Sequence, residues 1–243
     1  MTNEELRIPL DDRMKQYERS VGTHLVSQVP VIGRLDGRCF HTLTRGLPYY
    51  DERLAAFMYR AAKALCEEIK GCRFTYVQSD EINVLVTQMN EFSQPWFRYD
   101  LQKMCSISAG IVANEFNKWA AAYEFSLDYA VFDARFFNLP RHEVTNYFVW
   151  RQQDAVRNSI QSLGRAQFSH KQLMNKSSAE IQELLFTEKN INWSDRPTPE
   201  KRGACVVKEQ LVESGRPIWV IDLEIPTFTQ DREYVEKRIM MAA

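Results

Sequence analysis

Glycine is scarce, with nine in 243 residues, and no Gly-Lys-Ser or Gly-Lys-Thr and no Gly-x-Gly-x-x-Gly occurs. The P-loop and the dinucleotide-binding fingerprint are therefore excluded. The five cysteines (Cys39, Cys66, Cys72, Cys105 and Cys205) are odd in number and none forms a Cys-x-x-Cys. The four histidines are scattered and form no His-Glu-x-x-His. Zinc fingers, zincins and a disulfide framework drop out, and free thiols in a reducing compartment are expected. No apolar run approaches the ~20 residues that a membrane span needs. The opening MTNEELRIPL is too acidic and polar for a signal peptide. A cytoplasmic protein with no membrane partner is expected. Basic and acidic residues balance, 31 against 32, and neither half of the chain has a charged tail.

What is present is an ordinary globular composition, 44% hydrophobic and 26% charged. Residues 29–38 read as a short strand ending at Asp36-Gly37, with Pro30 tolerated at its start. A helix fits 51–70, where Leu54, Phe57, Met58, Ala61, Ala62, Leu65, Cys66 and Ile69 share one face. Asp51 is its cap and Gly71 its stop. Two strands follow at 73–77 and 82–86, joined by Gln78-Ser-Asp-Glu81. A second long helix is expected from Pro95. A strand fits 129–137, and helices fit 142–163 and 177–186, the latter with Ser177 and Glu180 as a capping box. Residues 203–223 read as a hairpin turning at Ser214-Gly215. The order β-α-β-β-α-β predicts an α+β fold: a ferredoxin-like, split βαβ sheet with helices on one face. Residues 1–140 form this core. Residues 141–243 form a helical and β-hairpin extension packed on it.

In such a sheet the strand ending at Asp36 and the hairpin carrying Asp80 and Glu81 are central neighbours. Carboxylates gathered at one edge repel unless cations bind there. Mg²⁺ accepts one or two carboxylates together with phosphate and water. Two such ions ~3.5–4 Å apart suit attack by a hydroxyl and departure of pyrophosphate. Gly37 leaves its backbone open to a metal or a phosphate. Asp is equally at home in turns, and spacing alone leaves both readings open.

Longer motifs decide between them. Arg34-Leu-Asp-Gly-Arg38 with Phe40-His41, then Gln78-Ser-Asp-Glu81, Phe132-Asp-Ala-Arg135, Trp150-Arg-Gln-Gln-Asp154, Ile191-Asn-Trp193 and Arg202-Gly203 resemble, in order, the signatures of the tRNA-histidine guanylyltransferase family. The FDGR glycine of that family is Ala134 here. The resemblance implies a polymerase-type palm that extends RNA in the 3′-to-5′ direction, using ATP or GTP and two Mg²⁺ ions. It assigns Asp36 and Asp80 as catalytic and gives the metal to Asp36, Gly37 and Asp80. Nucleotide contacts fall to Gly37, Arg38, Cys39, Phe40, His41, Ser79, Glu81 and Lys103. Arg135, Arg151, Arg157, Lys201 and Arg202 become candidates for tRNA phosphate, and Trp150 and Trp193 for base stacking or core packing. The family's usual assembly implies a homo-tetramer, a dimer of dimers. Members that add guanosine to tRNA-histidine carry HINxLYN after WRQxD. Here that stretch is Val156-Arg-Asn-Ser-Ile-Gln-Ser162, which favours the bacterial and archaeal branch that repairs 5′-truncated tRNA by templated addition. Guanosine addition to tRNA-histidine, another palm nucleotidyltransferase or cyclase, and a non-catalytic RNA-binding scaffold are the alternatives.

Overall fold

The computed structural model describes residues 8–87, 94–125, 128–210 and 217–240. After α1 (Leu10–Arg19) come β1 (Val31–Gly37), the one-turn α2 (Phe40–Leu43), α3 (Glu52–Glu68), β2 (Cys72–Gln78), β3 (Glu81–Val86), α4 (Leu101–Ala122) and β4 (Phe132–Asn138). The second half supplies α5 (Arg141–Gln167), α6 (His170–Leu173), α7 (Ser178–Lys189), α8 (Thr198–Arg202), β5 (Ala204–Gln210), β6 (Pro217–Asp222) and α9 (Glu233–Met240). The six strands form one sheet in the order β4-β1-β3-β2-β5-β6, and every pairing is antiparallel. The expected hairpin is therefore β5–β6, while its turn at Ser214-Gly215 lies outside the described residues.

Alternation along the strands feeds two cores, because successive side chains point to opposite faces. Val31, Leu35, Val77, Ile82, Val84, Ala204 and Val206 pack with Phe57, Leu65, Met104, Val112 and Phe116 of α3 and α4. Ile32, Phe74, Tyr76, Leu85, Cys205 and Val207 pack with Phe148 of α5 and with Phe228 and Val235 near the C-terminus. Each fully buried side chain of this size contributes roughly 1.5–3 kcal/mol. Helices thus cover both faces, not one. The reason lies in the buried apolar residues on both sides of β1, β2 and β5, which two helices alone cannot cover. A smaller cluster joins α5 to α7 through Ile160, Leu163, Ile181 and Leu185.

The caps follow local chemistry. Asp51 accepts from the Arg53 N–H at the start of α3, and the Ser177–Glu180 box opens α7. The second long helix differs from expectation. Pro95 leads into a tight turn at Trp96–Tyr99, where Phe97, Arg98 and Tyr99 are left-handed, and α4 starts only at Leu101, capped by Asp100. Burial of Trp96 and Tyr99, with Leu25 N–H donating to the Tyr99 carbonyl at 3.0 Å, holds that turn out of the helix. β4 likewise begins at Phe132, because Asn117 of α4 occupies both backbone groups of Ala130 at 2.9 Å.

The Arg202-Gly203 element is a close approach of backbones. Gly203 has φ +79°, and a Cβ there would overlap the Val77 carbonyl oxygen and crowd the Tyr76 ring. Tyr76 Oη donates to the Arg202 carbonyl at 2.8 Å. Replacing Gly203 with Ala is expected to cost about 2 kcal/mol or more, from overpacking and backbone strain together. Urea unfolding of the variant checks this, and an unchanged midpoint would contradict it.

Candidate active site

The register of three strands assembles the acidic edge. Asp36 on β1 stands directly opposite Glu81 on β3 and Asp133 on β4. Directly opposed residues share a face, so three carboxylates form a row across the sheet. Asp80 joins them from the two-residue turn, where Ser79 is left-handed at φ +48° and the Gly37 N–H donates to the Asp80 carbonyl at 3.1 Å. One row behind, Arg34 stands opposite Asn83 and Arg135. The Arg34 Nε is buried with no hydrogen-bond partner among the described residues.

Two of these acids have cations and two do not. Glu81 is gripped by Arg151, Nε to Oε1 at 2.7 Å and NH2 to Oε2 at 2.8 Å. Asp133 pairs with Arg135 at 2.9 Å. Asp36 and Asp80 have no ion-pair partner among the described residues. Burial raises the pKa of Asp36, and Glu81 and Asp133 raise it further against Arg34 and Arg135. Asp80 is pushed up to about 6, first by burial and then by Asp36 and Glu81, against hydrogen bonds from its own N–H and from Ser79. Uncompensated, partly desolvated carboxylates of this kind mark candidate functional sites.

The other candidates fall in several places. The Cys39, Phe40 and His41 N–H groups open α2 with no acceptor among the described residues, while the Arg38 N–H is committed to the Val131 carbonyl at 2.8 Å. The Phe40 side chain is core, packed against Phe116 and Phe132, and its ring fills the space that a Cβ on Gly37 would need. Only its backbone can meet a ligand. Arg38, Cys39, His41, Ser79 and Lys103 are exposed. Glu81 is buried and fully engaged, accepting also from Asn83 at 2.8 Å and Gln78 at 3.1 Å, so its carboxylate is not free for a nucleotide. Arg151 is likewise buried between Glu81 and Asp154, not open to RNA phosphate. Arg135 and Arg157 are exposed, with Asp133 and Asp154 as partners. Lys201 bonds the Ser194 carbonyl, and the Arg202 Nε bonds the Ile225 carbonyl at 3.1 Å. Trp150 is half exposed beside Tyr147, and Trp193 donates to Ser159 at 3.1 Å.

Arg34 and Asp133 lie within the quoted motifs and Asn83 and Tyr147 outside them, and none of the four was assigned a site role from the sequence. Their signal is cross-strand register, which one strand read alone does not contain. A separate groove of about 570 Å³ lies between residues 48–53 and 196–200 and includes neither Asp36 nor Asp80. At its rim the buried Glu200 receives Tyr49 Oη and Arg196 Nε.

An edge with two unmatched carboxylates beside free N–H groups suits transfer of a nucleotidyl group, and the protein is an enzyme of that class, a nucleotidyltransferase. The family model described as tRNAHis guanylyltransferase matches residues 11–140. The structure is similar to a bacterial tRNA(His) guanylyltransferase-like protein in complex with ATP, at TM-score 0.90 and 41% identity over 96% of this chain and 100% of that one. A bacterial tRNA(His) guanylyltransferase-like protein in complex with GTP matches at TM-score 0.81 and 37% identity, covering 96% of this chain and 99% of that one. The tRNA(His) guanylyltransferase of Schizosaccharomyces pombe is 26% identical over 213 residues, 82% of this chain and 80% of that protein. The chain belongs to the tRNA-histidine guanylyltransferase family.

A raised carboxylate pKa carries a stability signature. Between pH 4 and 6 the folded state holds the Asp80 proton that the unfolded chain has released. Stability is therefore full below the unfolded value of 3.8 and falls as pH rises through about 6. In metal-free buffer at pH 8, Asp80→Asn is expected to be more stable than the parent by about 2 kcal/mol. Paired melting curves at pH 4.5 and 8 read the difference, and a parent that gains stability over that interval relative to the variant would contradict the assignment.

Proposed function

We propose that this protein adds nucleotides to the 5′ end of tRNA in the 3′-to-5′ direction, repairing truncated ends against the opposing strand. The observation that carries this reading is the pair Asp36 and Asp80, left without cations where the neighbouring acids each have an arginine. The inner strand order β4-β1-β3-β2, with α3 and α4 between them, is read as the ferredoxin-like palm.

The donors fit Mg²⁺. They are hard carboxylate and carbonyl oxygens, the ligand type that Mg²⁺ takes. Two carboxylates and the Gly37 carbonyl would leave coordination positions for water and phosphate, as Mg²⁺ prefers. When bound, two such ions activate an attacking hydroxyl and stabilise the leaving phosphate.

The chain's own groups do the rest. The free N–H groups of Cys39, Phe40 and His41 form a small nest for a triphosphate. Arg34 and Arg135 stand one row behind the acids, where phosphate charge arrives. In the first step an oxygen of the RNA 5′-monophosphate attacks the α-phosphate of ATP or GTP and pyrophosphate leaves. In the second, the 3′-hydroxyl of the incoming nucleoside triphosphate attacks the RNA 5′-phosphate, AMP or GMP leaves, and the new end carries a triphosphate. Use of ATP and GTP is supported by the ATP and GTP complexes of the similar bacterial proteins. The repair branch is favoured over tRNA-histidine recognition by residues 156–162, which lie on α5 with Ile160 turned into the core and Arg157 and Asn158 exposed. A homo-tetramer and a cytoplasmic site of action complete the proposal.

The test is a 5′-monophosphorylated tRNA lacking its first nucleotide, incubated with ATP, Mg²⁺ and each nucleotide in turn. Extension only by the nucleotide complementary to the opposing base is expected. Asp36→Ala and Asp80→Ala should each lose about 10³-fold or more in rate while staying folded, several kcal/mol of transition-state stabilisation. Guanosine addition whatever the opposing base would return the protein to the tRNA-histidine reaction. No addition by a protein that still binds nucleotide would favour a binding scaffold.

A further inference from the structure

We propose that Arg151 is a positioning residue for the metal site: by holding both oxygens of Glu81 it withdraws that carboxylate from Asp36 and Asp80 and locks the Ser79-Asp80 turn against α5. The inference rests on the reading of Asp36 and Asp80 as the metal-holding pair. Glu81 is next to Asp80 in sequence and directly opposite Asp36 in register. Left free, it would be a third carboxylate within reach of the same cation, taking a coordination position that a substrate phosphate needs.

The geometry denies it that role. Glu81 Oε1 accepts from Arg151 Nε, Asn83 Nδ2 and Gln78 Nε2, and Oε2 accepts from Arg151 NH2. Paired charge-assisted bonds of this kind are directional as well as strong. Arg151 is itself held, by Asp154 at 2.9 Å and by the Trp150 ring at 4.5 Å. Asn83 is held by Tyr147 Oη at 2.6 Å. Gln78 and Glu81 flank the two-residue turn, so the grip on Glu81 also ties the hairpin tip to α5. In the same stretch Gln152 binds the C-terminal segment, accepting from the Phe228 N–H at 2.7 Å and donating to the Pro226 carbonyl at 3.0 Å. Arg151 and Gln152 thus work from inside the fold, and Arg151 acts on the reaction through Glu81.

The test separates this from a plain structural pair and from an RNA contact. Mg²⁺ alone is titrated against melting temperature, and nucleotide addition is measured against Mg²⁺ and tRNA. Arg151→Met leaves a buried unpaired carboxylate and is expected to melt lower. The double variant Glu81→Gln/Arg151→Met removes both charges and should regain most of the melting temperature. In the double variant, where the turn is untied and no carboxylate is released, the Mg²⁺ concentration for half-saturation should rise about tenfold, as when a residue that orients a metal ligand is lost. In Arg151→Met the released Glu81 carboxylate should reach the cation and lower that concentration while slowing nucleotide addition. In both, the KM for tRNA should move less than twofold. Arg151→Lys should recover part of the Mg²⁺ response. A double variant whose Mg²⁺ response matches the wild type would overturn the proposal, leaving only charge compensation. So would an Arg151→Met protein with a raised KM for tRNA and an unaltered Mg²⁺ response. Wild-type protein with no Mg²⁺ response would instead defeat the metal reading of Asp36 and Asp80, and this proposal with it.

Discussion

Carboxylates on adjacent strands repel at short range, and four of them meet at one edge of this sheet. The fold neutralises Glu81 with Arg151 and Asp133 with Arg135, and leaves Asp36 and Asp80 uncompensated. That asymmetry organises the surroundings. The arginine for Glu81 comes from α5, so α5 must lie on the face of the sheet that Asp36 shares with Ile32. The raised pKa values of Asp36 and Asp80 express a cost of ionising them at this edge, which a bound divalent cation would relieve.

Packing serves the same edge. The Phe40 ring closes over Gly37 and joins Phe116 and Phe132, which anchors α2 and aims its free N–H groups past the end of β1. Gly203 brings α8 against the Val77 carbonyl, immediately before the Gln78-Ser-Asp-Glu81 turn. Motifs that look catalytic by their resemblance divide into two kinds. Among the described residues, Asp36 and Asp80 are left without cations at the acidic edge, where the proposed chemistry would take place. Phe40, Glu81, Arg151, Gln152 and Gly203 hold that place in shape from inside the fold.

The strands of the core, the long helices α3, α5 and α7 and the acidic pair were legible because they rest on local signals. These are alternation, three-and-four periodicity, an N-cap aspartate and a capping box, all carried within a dozen residues. The turn at Trp96–Tyr99 was not legible, since proline is a common helix starter and only burial of two aromatic rings keeps this one from starting. Coverage of the second face by α5 and α9 was missed for a related reason. Apolar residues on both sides of a strand say that it is buried twice, not by which element.

Sequence alone determined the class of chemistry: which acids exist, how far apart they lie along the chain, and which motifs accompany them. It set Glu81 beside Asp80 as a nucleotide contact, and it gave Arg151 and Arg157, two arginines on one helix, the same candidacy for tRNA phosphate. Tertiary structure decided both. Adjacent residues at a hairpin turn diverge in direction, and residues six apart on a helix differ by more than a turn and a half. One member of each pair is buried in an ion pair and the other is left half-buried or exposed. Charge in a low-dielectric interior must be matched by a near partner, and which partner is near is a property of the folded chain.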